Sequence, residues 1–439
     1  MSKLYFITVF MCACVGGVFA QQRTLEALQL ADALGEAMLH NTSLAQASLD
    51  QNIAHAQFGS STAAFLPQVN LSYTSTLTNN PLMVFGNKMV QGIVTANDFD
   101  PILLNNPSDY QNHNAMVSVV QPILNPDILI QRRAANIQQE VYDFKKQYTQ
   151  SYITFEVKKT YYQLLLNYEA LEVLKQAFRT TEEANNSVSN FYQQGLVTKA
   201  DVLNAQVYKS SIESQLLATQ NSIEALSDQL SVLMNRETMA TYTVQADTNY
   251  RTIPDEGAYV YSAARADFMA YNKTVESYDK MIQASRFSLS PRLNAFGNYQ
   301  SNSNTFGFGN GSYYVGLQVS MDVFKGLTNY HKIAVQKFQR NKIALELKTE
   351  QVRAQTEIES AKRSMRDIHV RMQLTQASIS QAKEALKLTQ DRYTEGLVKT
   401  TDLLTSQNLL AQQELALSKI YFEYNVTVSY LSFLTNQNQ

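Results

Sequence analysis

Two aspartates and two tyrosines recur in one spacing in this chain of 439 residues: Tyr192-Gln-Gln-Gly-Leu-Val-Thr-Lys-Ala-Asp201 and Tyr393-Thr-Glu-Gly-Leu-Val-Lys-Thr-Thr-Asp402. An acid six residues past a glycine, twice, can fix a charge or hold a helix start. It has no catalytic company. The five histidines, at 40, 55, 113, 331 and 369, show no metal-ligand spacing. There is no Gly-rich phosphate loop, no His-Glu-x-x-His and no Gly-x-Ser-x-Gly. Cys12 and Cys14 both fall in an expected leader, so the mature chain is expected to lack disulfides, thiolate metal sites and cysteine nucleophiles. The expectation is a protein that is not an enzyme and carries neither metal nor cofactor.

The elements that position these residues are themselves duplicated. Arg392 to Gln407 repeats Phe191 to Gln206 with seven identities (Tyr, Gly, Leu, Val, Asp, Leu, Gln), an internal repeat. Between Asp127 and Ile253 the only glycine is Gly195 and there is no proline; between Leu327 and Gln439 the only glycine is Gly396, again without proline. Each glycine predicts the stop between two long helices. Thr198 or Lys199, and Thr400-Thr401, supply the next helix starts, with Asp201 and Asp402 as first-turn acids. The chain is thus expected to hold two helical hairpins with matching tips, near 191–201 and 392–402.

In order along the chain, residues 1–20 hold Lys3, an apolar run and small residues before Gln21, the pattern of a secretory signal peptide cleaved after Ala20; a retained anchor helix is the rival reading. The whole chain carries a formal charge of −2, and no basic surface points to nucleic acid. With only 15 glycines and 8 prolines, the composition suits long helices packed side by side. Two N-terminal helices are expected across 21–64, the first capped by Thr24, with Leu30, Ala33, Leu34, Ala37 and Met38 on one face, and the second starting at the cap Ser43. Val69, Leu71 and Tyr73 then alternate with polar residues, and Val117, Val119 and Ile123 do so less cleanly, giving two strands within 65–125. Between them Pro81, Pro101 and Pro107 mark 77–113 as a long loop. Asn125 and Pro126 open the first hairpin, 126–252. A linker and helix follow over 253–288, two strands over 289–326, where Val315 to Val323 alternate, and the second hairpin over 327–439.

Strands apolar on one face and polar on the other, in a secreted chain, fit a β-barrel wall between lipid and water. Four strands cannot close a barrel, and an open edge is not allowed in lipid, so several protomers must share one. The helices add to this. Ile343, Leu347, Ala354, Ile358, Ala361, Met365, Ile368 and Met372 form a narrow seam spaced by threes and fours, suited to coiled-coil packing around a bore.

The leader, Thr24-Leu-Glu-Ala-Leu, Phe65-Leu-Pro-Gln-Val, Arg265-Ala-Asp-Phe268, Ser290-Pro-Arg-Leu and the paired Tyr-x-x-Gly-Leu-Val motifs together resemble the TolC outer-membrane efflux family over essentially the whole mature chain. The resemblance implies a mainly α fold with a membrane β part: a homotrimer whose α-helical barrel continues into a shared twelve-stranded transmembrane β-barrel, four strands per protomer, built from two structural repeats. It implies a passive exit duct in the outer membrane of a Gram-negative bacterium, with a large periplasmic part. Its partners would be outer-membrane lipid, a periplasmic adaptor (membrane fusion protein) and an inner-membrane transporter of RND, ABC or MFS type that supplies the energy. The cargo would be small molecules, drugs or metal ions; the exit duct of a type I protein secretion system fits the same family. A secreted structural coiled-coil protein without a pore is the reading from another class, and it leaves the alternating strands unexplained.

Carried over residue by residue, the resemblance puts tip closure on Tyr393 and Asp201, a channel selectivity ring favouring cations on Asp402, and adaptor docking on Gly195, Leu196, Val197, Gly396, Leu397 and Val398. Two positions depart from the family pattern. Val398 stands where a tip-locking Arg can occur, and Thr405 replaces a second acid, which implies a looser or different lock and one acid ring. The bland readings stand beside these: helix-stop glycines, first-turn acids and a tyrosine that only packs.

Overall fold

The computed structural model describes residues 23–237, 240–246 and 259–436. The expected leader with its two cysteines lies outside them, as do residues 253–258 at the start of the expected linker. Among the described residues the chain runs β1 (Thr24–Leu28), α1 (Leu30–His40), α2 (Thr42–Ala63), β2 (Gln68–Thr78), α3 (Pro81–Gln91), a 3₁₀ turn (Ala96–Phe99), α4 (Pro101–Asn105), β3 (Tyr110–Leu124), α5 (Pro126–Gln193) and α6 (Lys199–Met234). It continues with β4 (Ala240–Val244), α7 (Ala266–Phe287), β5 (Arg292–Ser303), β6 (Asn310–Ser320), α8 (Thr328–Thr394) and α9 (Thr400–Thr435). The duplication shows in the lengths. A 22-residue helix, a pair of strands, a helix of 68 or 67 residues and a helix of 36 follow one another in each half.

The protein divides into two units. One holds the chain up to Asn41, Glu156 to Ile253 and Asp367 to Val426. In it β1 and β4 pair in parallel, Thr24 with Ala240 through Leu28 with Val244. This overturns the expected helix start at Thr24. The Thr-Leu-Glu-Ala-Leu run has fair helix propensity, but its backbone bonds are taken by β4, and tertiary pairing overrides a weak local preference. Tyr161, 1% exposed, closes the ends of the pair by donating to the Leu28 and Gln245 carbonyls at 3.1 and 3.0 Å. Arg236 reaches Glu26 at 2.6 Å and Glu36 at 2.5 Å, fastening β1 and α1 to the end of α6. The first hairpin is therefore shorter than 126–252. Asn235 ends α6 in the left-handed region, φ 54°, and the chain turns into β4.

The other unit holds Thr42 to Phe155, Pro254 to Arg366 and Thr427 onward. Its sheet is antiparallel throughout, in the order β2-β3-β5-β6, so the two halves of the chain meet at the β3–β5 seam. The sequence places a long loop over 77–113; instead β2 reaches Thr78, β3 starts at Tyr110, and helices fill the gap. Two of the three prolines that suggested a loop sit at first helical positions, where no N–H is needed: Pro81 behind the Asn80 cap and Pro101 behind the Asp100 cap, while Pro107 lies in irregular chain between α4 and β3. α2 starts at Thr42, one residue before its expected cap Ser43, and β6 ends at Ser320, so Met321 and Val323, expected in the last strand, lie beyond it. Asn125, expected to cap α5, instead turns its amide nitrogen to Asn294, while Arg292 on β5 pairs with Asp127, 3% exposed, at 2.6 Å. The Arg265-Ala-Asp-Phe268 motif is a clasp. The Arg265 guanidinium, buried, donates twice to Asp267 at 2.7 Å and lies 4.2 Å from the Phe268 ring centre.

The α8 seam is buried at Ala354, Ile358, Ala361, Met365, Ile368 and Met372, a strict four-three alternation; Ile343 and Leu347, at its start, are only half-buried.

Candidate functional site

Both tips end their first helix in the same hydrogen-bond pattern. The Leu196 N–H bonds the Phe191 carbonyl at 2.9 Å and the Gly195 N–H bonds that of Tyr192 at 3.0 Å; Leu397 and Gly396 repeat this with Arg392 and Tyr393 at the same distances. This is the Schellman arrangement, and it needs the left-handed backbone found at Gly195 (φ 74°) and Gly396 (φ 73°). A Cβ built on either glycine would meet nothing within 4 Å, so the glycines serve the backbone and leave open space above it. Leu196 and Leu397 stand out into solvent at 68% and 63% exposure. Val197 and Val398 are half-buried, and Val197 packs on a core of Ala184, Val188, Val202, Ala205 and Leu404.

The second helices start differently. Thr198 caps α6 in a reciprocal box: its hydroxyl and N–H both bond the Asp201 carboxylate, at 2.7 and 2.9 Å, and Thr198 Oγ1 accepts from the Asp201 N–H at 3.3 Å. These hydrogen bonds from Thr198, with a lesser pull from the Lys399 ammonium, hold the Asp201 carboxyl below its usual range. At the matching place before α9 stands Lys399, which has no oxygen to cap with. Asp402 accepts its N–H at 3.1 Å, and α9 has only that half of the box. The expected cap from Thr400-Thr401 is not made. Thr400, buried, instead bonds the Tyr393 hydroxyl at 3.1 Å, and the Tyr393 ring meets Phe191 edge-on at 6.5 Å between centres. Tyr393 thus joins the two tips through Phe191. Among the described residues no hydrogen bond links Tyr393 to Asp201. Asp402 is exposed and Asp201 half-buried. Spacing could not announce Phe191 as a partner of Tyr393, since the contact joins the two repeats, nor Thr400, since the helix breaks at Gly396 between the two and a helical count does not carry across the break.

The sheet has two unlike faces. Leu71, Val117, Tyr299 and Tyr313 lie in one row across all four strands, and Val69, Val119, Gly297 and Val315 in the next. Leu71 is 75% and Val315 75% exposed, apolar surface with nothing over it among the described residues. The opposite face carries amides and hydroxyls in register: Asn70, Ser118, Asn298 and Tyr314, then Thr74, Asn114, Asn302 and Asn310. Arg292 is the only Asp, Glu, Lys or Arg in these strands, and Asp127 neutralises it. β2 and β6 are edges, each with one partner. Among the described residues no helix is long and apolar enough to cross a membrane, and no cluster of His, Asp or Glu could hold a metal ion.

The structure resembles the outer membrane channel CmeC of Campylobacter jejuni (TM-score 0.77, 17% identity, covering 92% of this chain and 85% of that one). It also resembles the outer membrane protein VceC of Vibrio cholerae (TM-score 0.74, 17% identity, 92% and 95% covered) and the MtrE outer membrane channel of Neisseria gonorrhoeae (0.72, 16%, 92% and 88%). At such identities the likeness establishes the fold. No curated protein matches the sequence. The sequence model of the outer membrane efflux proteins matches residues 33–236 and 261–436, both repeats with their hairpin tips, and the chain belongs to that family.

Proposed function

We propose that the mature chain is one subunit of a homotrimeric exit duct in the outer membrane of a Gram-negative bacterium, passing small molecules such as drugs or metal ions outward. The observation that carries this is the sheet: apolar on one face, amide-lined on the other, and open at both edges. An open edge in lipid leaves each unpaired backbone group at a cost of several kcal/mol, so β2 of one subunit must pair with β6 of the next. Three subunits give twelve strands, a closed wall with lipid outside and water inside. Energy comes from an inner-membrane transporter, joined to the duct by a periplasmic adaptor. Gly195, Leu196, Gly396 and Leu397 form the adaptor surface, where open space above the backbone lets another helix approach; Val197 and Val398 turn inward and shape it from below. Asp402 forms the selectivity ring. Tyr393 holds the tip closed through Phe191 and Thr400, and Asp201 holds the start of α6, so the lock without an Arg at Val398 is made of packing and caps.

Planar-bilayer conductance of the purified trimer tests this. Wild type gives small, cation-selective currents; Asp402→Asn loses the selectivity, and Tyr393→Phe with Asp201→Ala enlarges the currents. Insertion with neither variant altered would remove the tip roles and leave the duct. Failure to insert would remove the duct itself.

A further inference from the structure

The segment between β2 and β3 does not hang free of the sheet. Gln91, at the end of α3 and 7% exposed, donates to Asn112 at 2.7 Å and accepts from the Tyr110 hydroxyl. Asn112 donates on to Asn302, 2% exposed, at 3.2 Å. Asn310 donates to the Val90 carbonyl at 3.2 Å, and a Cβ on Gly92 would stand 3.2 Å from the Asn310 amide. Asn112, Asn302 and Asn310 all belong to the amide-bearing face, so α3 is fastened on that side at the hairpin end of the strands. Lys88 pairs with Asp98 at 2.6 Å and ties α3 to the 3₁₀ turn, while Phe85 and Phe99 meet edge-on. The other side of α3 is bare apolar surface: Leu82 is 81%, Met89 57% and Met83 50% exposed.

We propose that this segment is an outer plug: three copies of α3, one from each subunit, meet through Leu82, Met83 and Met89 and close the external mouth of the duct. The inference rests on the reading that the amide face lines the lumen of a twelve-stranded barrel. Size selects the occupant of the apolar surface. Twelve strands about 4.8 Å apart and tilted by about 40° close a ring roughly 24 Å across. A helix with its side chains is about 10–12 Å thick, so three helices fastened inside that rim have nowhere to put their outer faces except against one another. The hydrogen bonds of Gln91 to Asn112 and of Asn310 to the Val90 carbonyl hold each copy to its own wall, and the apolar contact across the axis excludes water.

The test is access from outside. Ser118→Cys places the single thiol of the mature chain on the amide face, and a polymer-tagged maleimide is added to intact cells. In the otherwise unchanged chain labelling is slow. Gln91→Ala, which removes the two hydrogen bonds to Asn112 and Tyr110 and keeps the α3 sequence otherwise unchanged, speeds it about tenfold, the change in open fraction that such a loss sustains. Replacing Asn79 to Asp109 by Asn-Gly, a two-residue turn joining the paired Thr78 and Tyr110, speeds it further. Equal rates in all three overturn the plug and leave the duct standing. Absence of labelling in all three, even by a small charged thiol reagent on the purified trimer, shows that the amide face is not lumenal and removes duct and plug together. A second measurement does not depend on the excised chain folding: oxidised Leu82→Cys forms a disulfide between subunits, and absence of that cross-link in the intact trimer overturns the contact across the axis.

Discussion

Gly195→Ala and Gly396→Ala separate what these glycines do for the backbone from what they do for a partner. An L-residue in the left-handed region costs about 1–2 kcal/mol. Against this, alanine restricts the unfolded chain and returns about 0.4–1 kcal/mol. Contact adds nothing, because a Cβ at either site meets no atom within 4 Å. The net loss is about 0.8 kcal/mol at the middle of both ranges and at most about 1.6 kcal/mol, felt at the tip alone, where the Leu196 and Leu397 N–H groups close the turn. Hydrogen exchange at those two amides should therefore quicken roughly two- to tenfold. Asparagine enters the left-handed region more easily, so Gly195→Asn and Gly396→Asn should move exchange less than alanine does. Adaptor binding should fall in the opposite order, since asparagine puts more atoms into the open space. Alanine and asparagine variants with equal exchange would refute the backbone argument. Asparagine variants that bind the adaptor as well as wild type would refute the docking surface and leave the glycines as helix stops.

Three further outcomes follow from particular contacts. Asp267→Ala strands the Arg265 guanidinium, which is 7% exposed, and should destabilise the protein by about 3–5 kcal/mol in denaturant titration, whereas a loss below about 1 kcal/mol would mean that water satisfies the site. The Asp201 carboxyl is held low by Thr198, so its capping contribution is present above the unfolded carboxyl pKa of about 3.9 and is lost as pH falls through the depressed native value. Amide exchange at the start of α6 should differ between wild type and Asp201→Asn at neutral pH and converge in strong acid. Tyr430 works in the other direction: burial, then its hydrogen bond to Glu357 at 2.9 Å, raises it to about 12, so its contribution is present below about pH 10 and is lost as pH rises from there to about 12. Alkaline unfolding of wild type should be steeper over that interval than that of Tyr430→Phe.

Local chemistry fixed a good part of this protein. A lone glycine in each long proline-free stretch is enough to stop a helix, because only a residue without Cβ takes the left-handed turn freely, and both tips stand where Gly195 and Gly396 put them. Strict alternation along Val69 to Tyr73 and Val315 to Val319 likewise decided strand and facing, since side chains on a strand alternate by construction. The paired motifs carried the family. Three things depended on groups far apart in the chain, which no local pattern contains. Thr24 to Leu28 became a strand because Ala240 to Val244 lay ready to pair with it. Asn125 gave up its cap to reach Asn294, and Tyr393 found Phe191 in the other repeat. The segment after Thr78 shows the division most plainly: its prolines and capping residues were compatible with both a loop and short helices, and the amides of Asn112 on β3 and Asn310 on β6 chose by offering Gln91 and Val90 partners on one face of the sheet.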